Sequence, residues 1–532
     1  MKKILFVTFL AVSLLSLVFG STPPGRAEET ILKLAVSQEW PTLDPGQWAV
    51  SCTGLEQVYE NLFRFKPGTT QVEPWLAESY DLSPDKKTYT FRLRKGVKFH
   101  DGIPFNAQAV IFNIDRAKWY KGTGLTWIKL IQNAQAVDDY TVKLTLEAPS
   151  AIFLTALAYP SVLRFVSPTA VKAHEKDGDW AKAWLASHDA GTGPYTIKDE
   201  TKMSHILLEK FPDYWRGWKG KHVDKVYLKY VREPSTRKMM LLNKEVDISE
   251  NLLFDDVDEL KKVPHLNIDL PSTTAVTLLV FRWTKGPGGE DNPILNRKFR
   301  EALNYAVDYD GIIKVSMKGA AKQLQGTLAG KLFEQNNRLQ LYKRDVAKAK
   351  QLLKESGYKE GQVKLTIMYN PGYEWKRLAS ETLKSNFKDI GVDLDILVTA
   401  WPQMVASMQD GTLSPPPHMY VYFASSVVDG YTTINRLFHS QSIGSPKDGP
   451  RGWNPGYVNP ALDKALEAAQ VAPTLETYKK HMLEAQEILH KDMPYLPLWE
   501  LVFVSSMSKR VKGYIPNPIR EQDYNFYEMY LE

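Results

Sequence analysis

The segment VKLTIMYNPGYEWKRLASETLKSNFKDIGVDLDILV, residues 363–398, shows two hydrophobic periods in succession. Its first five residues alternate apolar and polar side chains, as a half-buried strand does. After the Asn370-Pro371-Gly372 turn, apolar residues recur at helical spacing: Trp375, Leu378, Ala379, Leu383, Phe387 and Ile390. Gly391 stands where the helix is expected to end, and residues 392–398 alternate again. Strand, helix and strand with short connections form a βαβ unit, which predicts parallel strands and an α/β fold.

Other segments extend this pattern over the chain. Asn106 and Asn459 are candidate N-caps of helices, and Pro460 occupies the first helical position that proline favours. Residues 89–93 and 142–146 alternate as strands do. The sequence therefore predicts mixed helices and sheets throughout.

Length and charge narrow the class of protein. The chain has 532 residues, of which 43% are hydrophobic and 24% charged, and single cores rarely exceed about 300 residues. About two or three domains are therefore expected. The net charge is +6, but charges of both signs are interspersed, so a nucleic-acid partner is not expected.

The N-terminus is typical of an exported protein. A basic start precedes an apolar run over residues 4–19, which is too short for a confident membrane span. Gly25-Arg26-Ala27 fits a cleavage before Glu28, and a cut after Gly20 is the alternative. The sequence predicts a signal peptide over residues 1–27, although a retained membrane anchor is the competing interpretation.

Cysteine usage excludes several kinds of site. The only cysteine, Cys52, lies far beyond the apolar run, so a lipid-modified N-terminus is not expected. A single cysteine also permits no intrachain disulfide and no thiolate zinc cluster. Cys52 is predicted to be a small buried residue.

Common catalytic, nucleotide-binding and metal-binding motifs are missing from the sequence. It contains no HExxH, GxxxxGK[ST], GxGxxG or GxSxG pattern, so no cofactor or metal is expected. Phe99-His100-Asp101-Gly102 is either an acid–base dyad or a turn, and Asp-Gly favours a turn in which His100 bonds locally. The protein is predicted not to be an enzyme; an exported hydrolase using scattered carboxylates is the alternative.

Several longer segments carry a resemblance to a known family. They are YENLF at 59–63, WLAESY at 75–80, LSPDKKTYTFRLRKGVKFHDG at 82–102, LDP at 43–45, GTGPY at 191–195, REALNYAVD at 300–308 and YVNPALD at 457–463. Together they resemble the oligopeptide-, dipeptide- and nickel-binding receptors of ABC importers, also known as family 5 extracellular solute-binding proteins. The resemblance spans about residues 31 to 510.

The resemblance implies a two-lobed periplasmic binding protein fold with an extra inserted α+β domain. The implied segments are 28–58, 192–282 and 497–532 for the first lobe, 59–191 for the extra domain and 283–496 for the second lobe. Gly191 and Gly193 would lie at a domain crossing, where the backbone freedom of glycine is useful.

The function implied is that of an extracytoplasmic solute-binding receptor. It would trap a small peptide-like or oligosaccharide-like ligand between its lobes and deliver it to the permease subunits of an ABC importer. The resemblance also implies a periplasmic monomer. A binding protein used for sensing remains an alternative.

Candidate ligand contacts come from loops at strand ends. The loop after the first strand offers Gln38, Glu39 and Trp40. By resemblance, residues 422–431 match a family segment that reads like W-G-A-D-Y-x-D-P, in which the first acid anchors the amino terminus of a peptide. If Asp429 matches the second acid, Ser426 replaces the first; in the other register Asp429 is itself the anchor.

The remaining candidates are aromatic or basic. Phe423 and Tyr431 belong to the same segment. Arg282 stands where the family often has Asn, and it either bonds a carboxylate or phosphate of the ligand or braces a lobe. Trp40, Trp283 and Trp401 either stack on the ligand or belong to the core.

Overall fold

The computed structural model describes residues 29–40, 42–47, 53–122, 124–285, 291–330, 338–410, 417–424, 430–444, 452–519 and 523–532. In chain order the strands are β1 (Ile31–Val36), β2 (Phe63–Phe65), β3 (Val72–Pro74), β4 (Ala77–Leu82), β5 (Thr88–Leu93), β6 (Ile131–Asp138), β7 (Thr141–Leu146), β8 (Tyr195–Thr201), β9 (His205–Lys210), β10 (Lys225–Tyr230), β11 (Ile248–Ser249), β12 (Leu266–Asp269), β13 (Ser272–Phe281), β14 (Lys322–Gln323), β15 (Val363–Tyr369), β16 (Val392–Val398), β17 (Met419–Ala424), β18 (Tyr495–Val502), β19 (Ser505–Ser508), β20 (Val511–Lys512) and β21 (Tyr530–Leu531). The helices are α1 (Ala107–Tyr120), α2 (Leu125–Ile128), α3 (Phe153–Ala158), α4 (Pro168–His174), α5 (Lys182–Leu185), α6 (Pro234–Leu242), α7 (Val257–Leu260), α8 (Arg297–Ala306), α9 (Tyr309–Met317), α10 (Val346–Glu355), α11 (Glu374–Lys388), α12 (Trp401–Asp410), α13 (Tyr431–Phe438), α14 (Pro460–Gln470) and α15 (Leu475–Asp492).

The first lobe is built on a seven-stranded sheet in the order β12-β19-β11-β1-β10-β9-β8. β1 pairs in parallel with β10 on one side and β11 on the other. Its alternating apolar residues Leu32, Leu34 and Val36 are buried in one core, while Ala35 packs into a second core on the opposite face. Both faces of this sheet are therefore covered.

The second lobe is built on a six-stranded sheet in the order β14-β18-β13-β17-β15-β16. β15 and β16 are adjacent and parallel, with Val363 opposite Val392. The helix between them, α11, buries Leu383 and Phe387 against the sheet. The predicted βαβ unit and its parallel strands are confirmed.

The chain crosses between the two sheets twice. β12 leads into β13 through residues 270–271, and β18 leads into β19 through residues 503–504. The predicted first-lobe segments, which included 272–282 and 497–502, do not match this pairing, because β13 and β18 are central strands of the second sheet. Both strands are almost wholly buried, and a strand that is buried on both faces shows no alternating pattern that indicates which sheet it joins.

Residues 59–191, which the resemblance assigns to the extra domain, contain a four-stranded antiparallel sheet in the order β4-β5-β7-β6. The apolar core of this sheet continues into the second lobe, where α13 to α15 lie. The C-terminal part of this segment packs against the other lobe: Val171 of α4 and Leu185 of α5 lie in the core of the first lobe. The extra domain therefore contacts both lobes.

Gly191 and Gly193 line the point where the chain leaves the extra domain. A Cβ atom on Gly191 would lie 1.9 Å from the Val58 carbonyl oxygen, and one on Gly193 would lie 2.2 Å from that of Gln57. Neither glycine has a positive φ. The two chain segments therefore require glycine for close approach, rather than for the backbone freedom that the sequence suggested.

The predicted signal peptide over residues 1–27 and the predicted burial of Cys52 lie outside the described residues. Within the described ranges, none of the helices has both the length and the apolar character that a membrane span requires.

Candidate functional site

Strand polarity creates a cleft between the lobes. β12 runs toward the crossing at residues 270–271, and β1 and β11 run in the same direction as β12. In the second lobe β13 runs away from the crossing, so its antiparallel neighbour β17, and with it β15 and β16, run toward the first lobe. The carboxyl ends of parallel strands from both sheets therefore face each other, which is where α/β proteins bind ligands.

The first-lobe side of the cleft begins after β1. Gln38 is exposed, and its Nε2 donates a hydrogen bond to Tyr373 Oη, which follows β15, at 3.0 Å. Glu39 is half-buried. Trp40 is only 7% exposed, lies in the first-lobe core and donates from Nε1 to the Thr53 carbonyl at 3.2 Å. Gln38 thus reaches across the cleft, whereas the geometry of Trp40 favours its interpretation as a core residue.

A buried carboxylate forms hydrogen bonds to residues at the start of this loop, and sequence reasoning missed it. Glu250 follows β11 and is 2% exposed. Its oxygens accept hydrogen bonds from the Ser37 backbone N–H at 3.2 Å and from Thr53 Oγ1 at 2.7 Å. Asn251 Nδ2 donates to Ser37 Oγ at 2.6 Å. This network fixes the start of the loop that carries Gln38. The only sequence signal for Glu250 was the position of an acid directly after a buried strand.

An aromatic cluster lies on the second-lobe side. Trp401, the first residue of α12, is half-buried and stacks on Tyr422 of β17 with ring centroids 6.1 Å apart. Trp453 contacts both rings, at 5.8 Å from Trp401 and 5.7 Å from Tyr422. The Arg436 guanidinium lies 4.5 Å from the centre of the Trp453 ring. Trp401 is therefore the partly exposed edge of a rigid aromatic surface at a strand end.

The extra domain forms a third side of the site. Trp127 of α2 donates from Nε1 to Thr432 Oγ1 at 3.2 Å, and its ring lies 5.5 Å from that of Tyr431. Tyr431 is 3% exposed. The Ala151 N–H donates to the Ala472 carbonyl at 2.8 Å. Tyr431 is therefore buried between the extra domain and the second lobe.

Arg282 and Trp283 lie at the opposite end of β13 from the crossing. Arg282 is 5% exposed, and its guanidinium donates to the carbonyls of Pro417 and Lys285 and to Thr284 Oγ1, each at 2.9 Å. The Trp283 ring lies 4.8 Å from that of Tyr457. The structure does not bring these two residues to the facing strand ends, and the contacts of Arg282 favour the bracing role.

The 422–431 segment is described only in part. The Phe423 backbone lies in β17 opposite Thr277. Ser426 and Asp429 lie outside the described residues. The choice between the two registers of this segment therefore stays a prediction.

A solvent-open pocket with about 150 Å³ of space for water lies where the extra domain meets the first lobe and its C-terminal segment. Glu60, 6% exposed, lies in its wall and accepts hydrogen bonds from Trp75 Nε1 at 2.7 Å and Tyr214 Oη at 2.9 Å. Trp215 Nε1 donates to the same carboxylate at 3.3 Å. Burial raises the pKa of Glu60, while these neutral donors oppose the shift. The carboxylate therefore ties the extra domain to the first lobe.

His100 is bonded differently from the local contact that the sequence suggested. Its Nδ1 lies 2.5 Å from Asp189 Oδ1, and its Nε2 lies 3.0 Å from the Gly193 carbonyl oxygen. The backbone around it does form the predicted turn, with the Gly102 N–H donating to the Phe99 carbonyl. The prediction that His100 bonds locally was therefore wrong. Its partners, Asp189 and Gly193, are distant in sequence and lie where the chain leaves the extra domain.

Metal ligation has no candidate in the described part of the chain. No group of three or more His, Cys, Asp or Glu side chains there is placed to hold an ion.

Comparison with known proteins identifies the family. Residues 71–444 match the model of the bacterial extracellular solute-binding proteins, family 5 middle region. The glutathione-binding protein GsiB of Pectobacterium atrosepticum is 29% identical over 514 residues, covering 94% of this chain and 93% of that protein. Heme-binding protein A of Haemophilus influenzae is 30% identical over 495 residues, covering 87% and 85%.

Solved structures agree with the fold. The periplasmic binding protein DppA from Helicobacter pylori, in complex with the peptide STSA, superimposes with a TM-score of 0.82 at 28% identity, covering 94% of this chain and 98% of that one. NikZ from Campylobacter jejuni, in complex with Ni(L-His), gives a TM-score of 0.83 at 22% identity, covering 94% and 99%. These likenesses confirm the predicted two-lobed periplasmic binding protein fold, and the family match confirms the predicted receptor function. The chain belongs to the bacterial extracellular solute-binding proteins of family 5.

Proposed function

We propose that this protein binds a short peptide or a compact peptide-like solute between its two lobes and passes it unchanged to the permease of an ABC importer. The observation that carries the proposal is the cleft itself, in which loops at the carboxyl ends of strands from both sheets meet. The hydrogen bond between Gln38 and Tyr373 joins the two sides at that point. A solute held there touches both lobes.

The physical basis is a difference in affinity between two states. A ligand that contacts both lobes binds the closed form better than the open form, and only that difference drives closure. A shift from 1:99 to 99:1 requires about 5.5 kcal/mol of preference. Several hydrogen bonds and one or two aromatic contacts, freed of water by closure, are sufficient. No bond in the ligand has to change.

The ligand class is inferred from the relatives and from the lining of the cleft. The relatives include a protein named as a glutathione-binding protein and an Escherichia coli protein named as a probable D,D-dipeptide-binding periplasmic protein. The partly exposed ring of Trp401 suits an apolar side chain, and Gln38 and Glu39 offer polar groups to a peptide backbone. An oligosaccharide, which would also stack on Trp401, is the competing ligand class.

A thermal-shift screen followed by calorimetry tests the proposal. The panel contains glutathione, dipeptides, tetrapeptides, oligosaccharides, heme and nickel–histidine. We expect a peptide to raise the melting temperature, since a ligand at 100 times its Kd stabilises the folded state by about 2.7 kcal/mol. Mass spectrometry of the solute released on denaturation should return it intact. Stabilisation by an oligosaccharide alone, or consumption of the solute, would refute the proposal.

We further propose that the mature protein is a periplasmic monomer. The apolar run at residues 4–19 and the small residues before Glu28 support export with cleavage. N-terminal sequencing of the protein from the periplasmic fraction should begin at Glu28, and light scattering should give the mass of one chain. A membrane-bound protein with an intact N-terminus would contradict export.

A further inference from the structure

Phe254 connects the cores of the two lobes. It lies in the short 3-10 turn Phe254–Asp256, which follows β11 in the first lobe. Its half-buried ring packs against the first-lobe cluster that contains Leu252 and Val257, and also against the second-lobe core. Phe254 is not on either crossing segment, but it lies beside one of them, because Phe503 and Val504 line the same pocket.

Two polar contacts join the lobes beside Phe254. The next residue, Asp255, forms an ion pair with Lys318, which follows α9 in the second lobe. Gln38 forms the hydrogen bond to Tyr373 described above. The side chains of Asp255 and Lys318 are 56% and 52% exposed, so both remain available to water if the lobes separate.

The packing around these contacts is incomplete. A solvent-open pocket with about 50 Å³ of space for water lies between the lobes at this place. Its lining includes Leu253 and Phe254 from the first lobe, Tyr373 and Trp375 from the second, and Phe503 from the connection between β18 and β19. Permanent interfaces are packed as densely as protein interiors. A joint that combines one aromatic ring, exposed polar partners and a solvent-open pocket is suited to repeated separation.

We infer that Phe254, the Asp255–Lys318 ion pair and the Gln38–Tyr373 hydrogen bond form an interlobe clasp that sets the balance between the open and closed states. The inference rests on the proposed closure of the lobes around a solute. Phe254, Asp255 and Lys318 are positioning residues that do not touch the ligand. They act because the apparent Kd equals the intrinsic Kd divided by the closed fraction of the protein.

The first test is the substitution Phe254→Ala, with Asp258→Ala, an exposed residue of the adjoining helix α7, as the matched control. Small-angle scattering of the ligand-free protein should show a larger radius of gyration for Phe254→Ala and no change for the control. Once a ligand is known, we expect its Kd to rise about tenfold, through faster dissociation. A scattering curve that is unchanged or more compact would overturn the inference.

The second test exchanges the charges of the ion pair, so it does not disturb the core. Asp255→Lys alone and Lys318→Asp alone should each raise the Kd by about threefold at low salt. This factor corresponds to the free energy that an exposed ion pair typically contributes. The double variant should recover the original affinity, which general destabilisation would not allow. Equal affinities for all four proteins would overturn the role of the pair.

The interlobe clasp and the proposed function can be refuted separately. Scattering of the ligand-free variants tests the clasp even if no solute is found, in which case only the proposed function fails. A solute that binds with the same Kd to the wild type and to Phe254→Ala, together with unchanged scattering, would refute the clasp alone.

Discussion

At the scale of single residues, His100 predicts a pH dependence of stability. Its Nε2 faces a carbonyl and its Nδ1 faces the Asp189 carboxylate, so both nitrogens donate in the protonated ring. Burial opposes the charge, but the attraction of Asp189, supported by Glu60, outweighs it and raises the pKa of His100. A raised pKa means that the stabilisation is complete below the unfolded-state pKa of about 6.5 and is lost as the pH rises through the folded-state value.

Urea unfolding at a series of pH values tests this sign. We expect the wild type to be more stable than His100→Gln at pH 6, and the difference to shrink steadily as the pH is raised above about 6.5. The glutamine variant keeps a polar group at the position but cannot carry the charge. A difference that stays constant or grows with pH would show that the imidazolium is not the stabilising form.

Arg282 gives a second prediction at this scale. Arg282→Ala leaves the carbonyls of Pro417 and Lys285 without their charged donor, so we expect a loss of about 2 kcal/mol or more in unfolding free energy. Affinity for the ligand should not change. Trp401→Ala provides the contrast, since it should weaken binding with a smaller loss of stability. Weaker binding by Arg282→Ala at unchanged stability would restore the ligand role.

These residues also mark the limit of prediction from sequence. Residue type identified Arg282, His100 and Trp40 as notable, but burial and bonding decide their roles. The partners of Arg282 include the carbonyl of Pro417, and those of His100 lie at positions 189 and 193. No local pattern relates such distant positions. Gln38 could be proposed as a candidate because a strand-end loop is a local feature, whereas its support from Glu250 depends on how the strands are ordered in the sheet.

At the scale of elements, local periodicity predicted strands and helices well. β15, α11 and β16 follow the expected pattern, and Asn106 and Asn459 accept the N-cap hydrogen bonds predicted for α1 and α14. The assignment of strands to lobes failed at β13 and β18. An apolar strand fits either sheet equally well by composition, and its partners are fixed only by long-range packing.

Gly391, which follows α11, allows an element-level test. It has a φ of +74°, and an added Cβ would lie 2.5 Å from Glu360 Cβ. Gly357, which follows α10, has a φ of +90° with no atom within 4 Å of the added Cβ. We expect Gly357→Ala to lose about 1 kcal/mol from backbone strain alone. Gly391→Ala should lose at least about 1 kcal/mol more, because the clash is added. Equal losses in urea unfolding would mean that Glu360 moves aside without cost.

At the scale of the whole molecule, the extra domain is attached to both lobes in different ways. Arg116 of α1 forms a buried, two-pronged ion pair with Asp44 of the first lobe, at 3.1 and 2.6 Å. Toward the second lobe the connection is an apolar surface with hydrogen bonds from Trp127 to Thr432 and from Ala151 to Ala472. Separating the first interface transfers paired charges into water, and separating the second exposes apolar side chains and breaks hydrogen bonds, so both separations have a cost. Both chain connections of residues 59–191 lead into the first lobe, and Val171 and Leu185 pack into its core, so the extra domain is expected to stay with the first lobe when the lobes open.

This asymmetry predicts where a ligand changes hydrogen exchange. Closure should protect backbone amides at residues 36–40, 124–130, 370–376 and 430–438, which face each other across the two separable interfaces. The hairpin between β8 and β9 lies at the far edge of the first sheet and serves as an internal reference that should not change. Protection at 124–130 and 430–438 together, measured by mass spectrometry at saturating ligand, would mean that the extra domain and the second lobe approach as the cleft closes. Protection confined to one lobe would mean that the ligand binds a surface rather than a cleft, and the two-state description of this receptor would then fail.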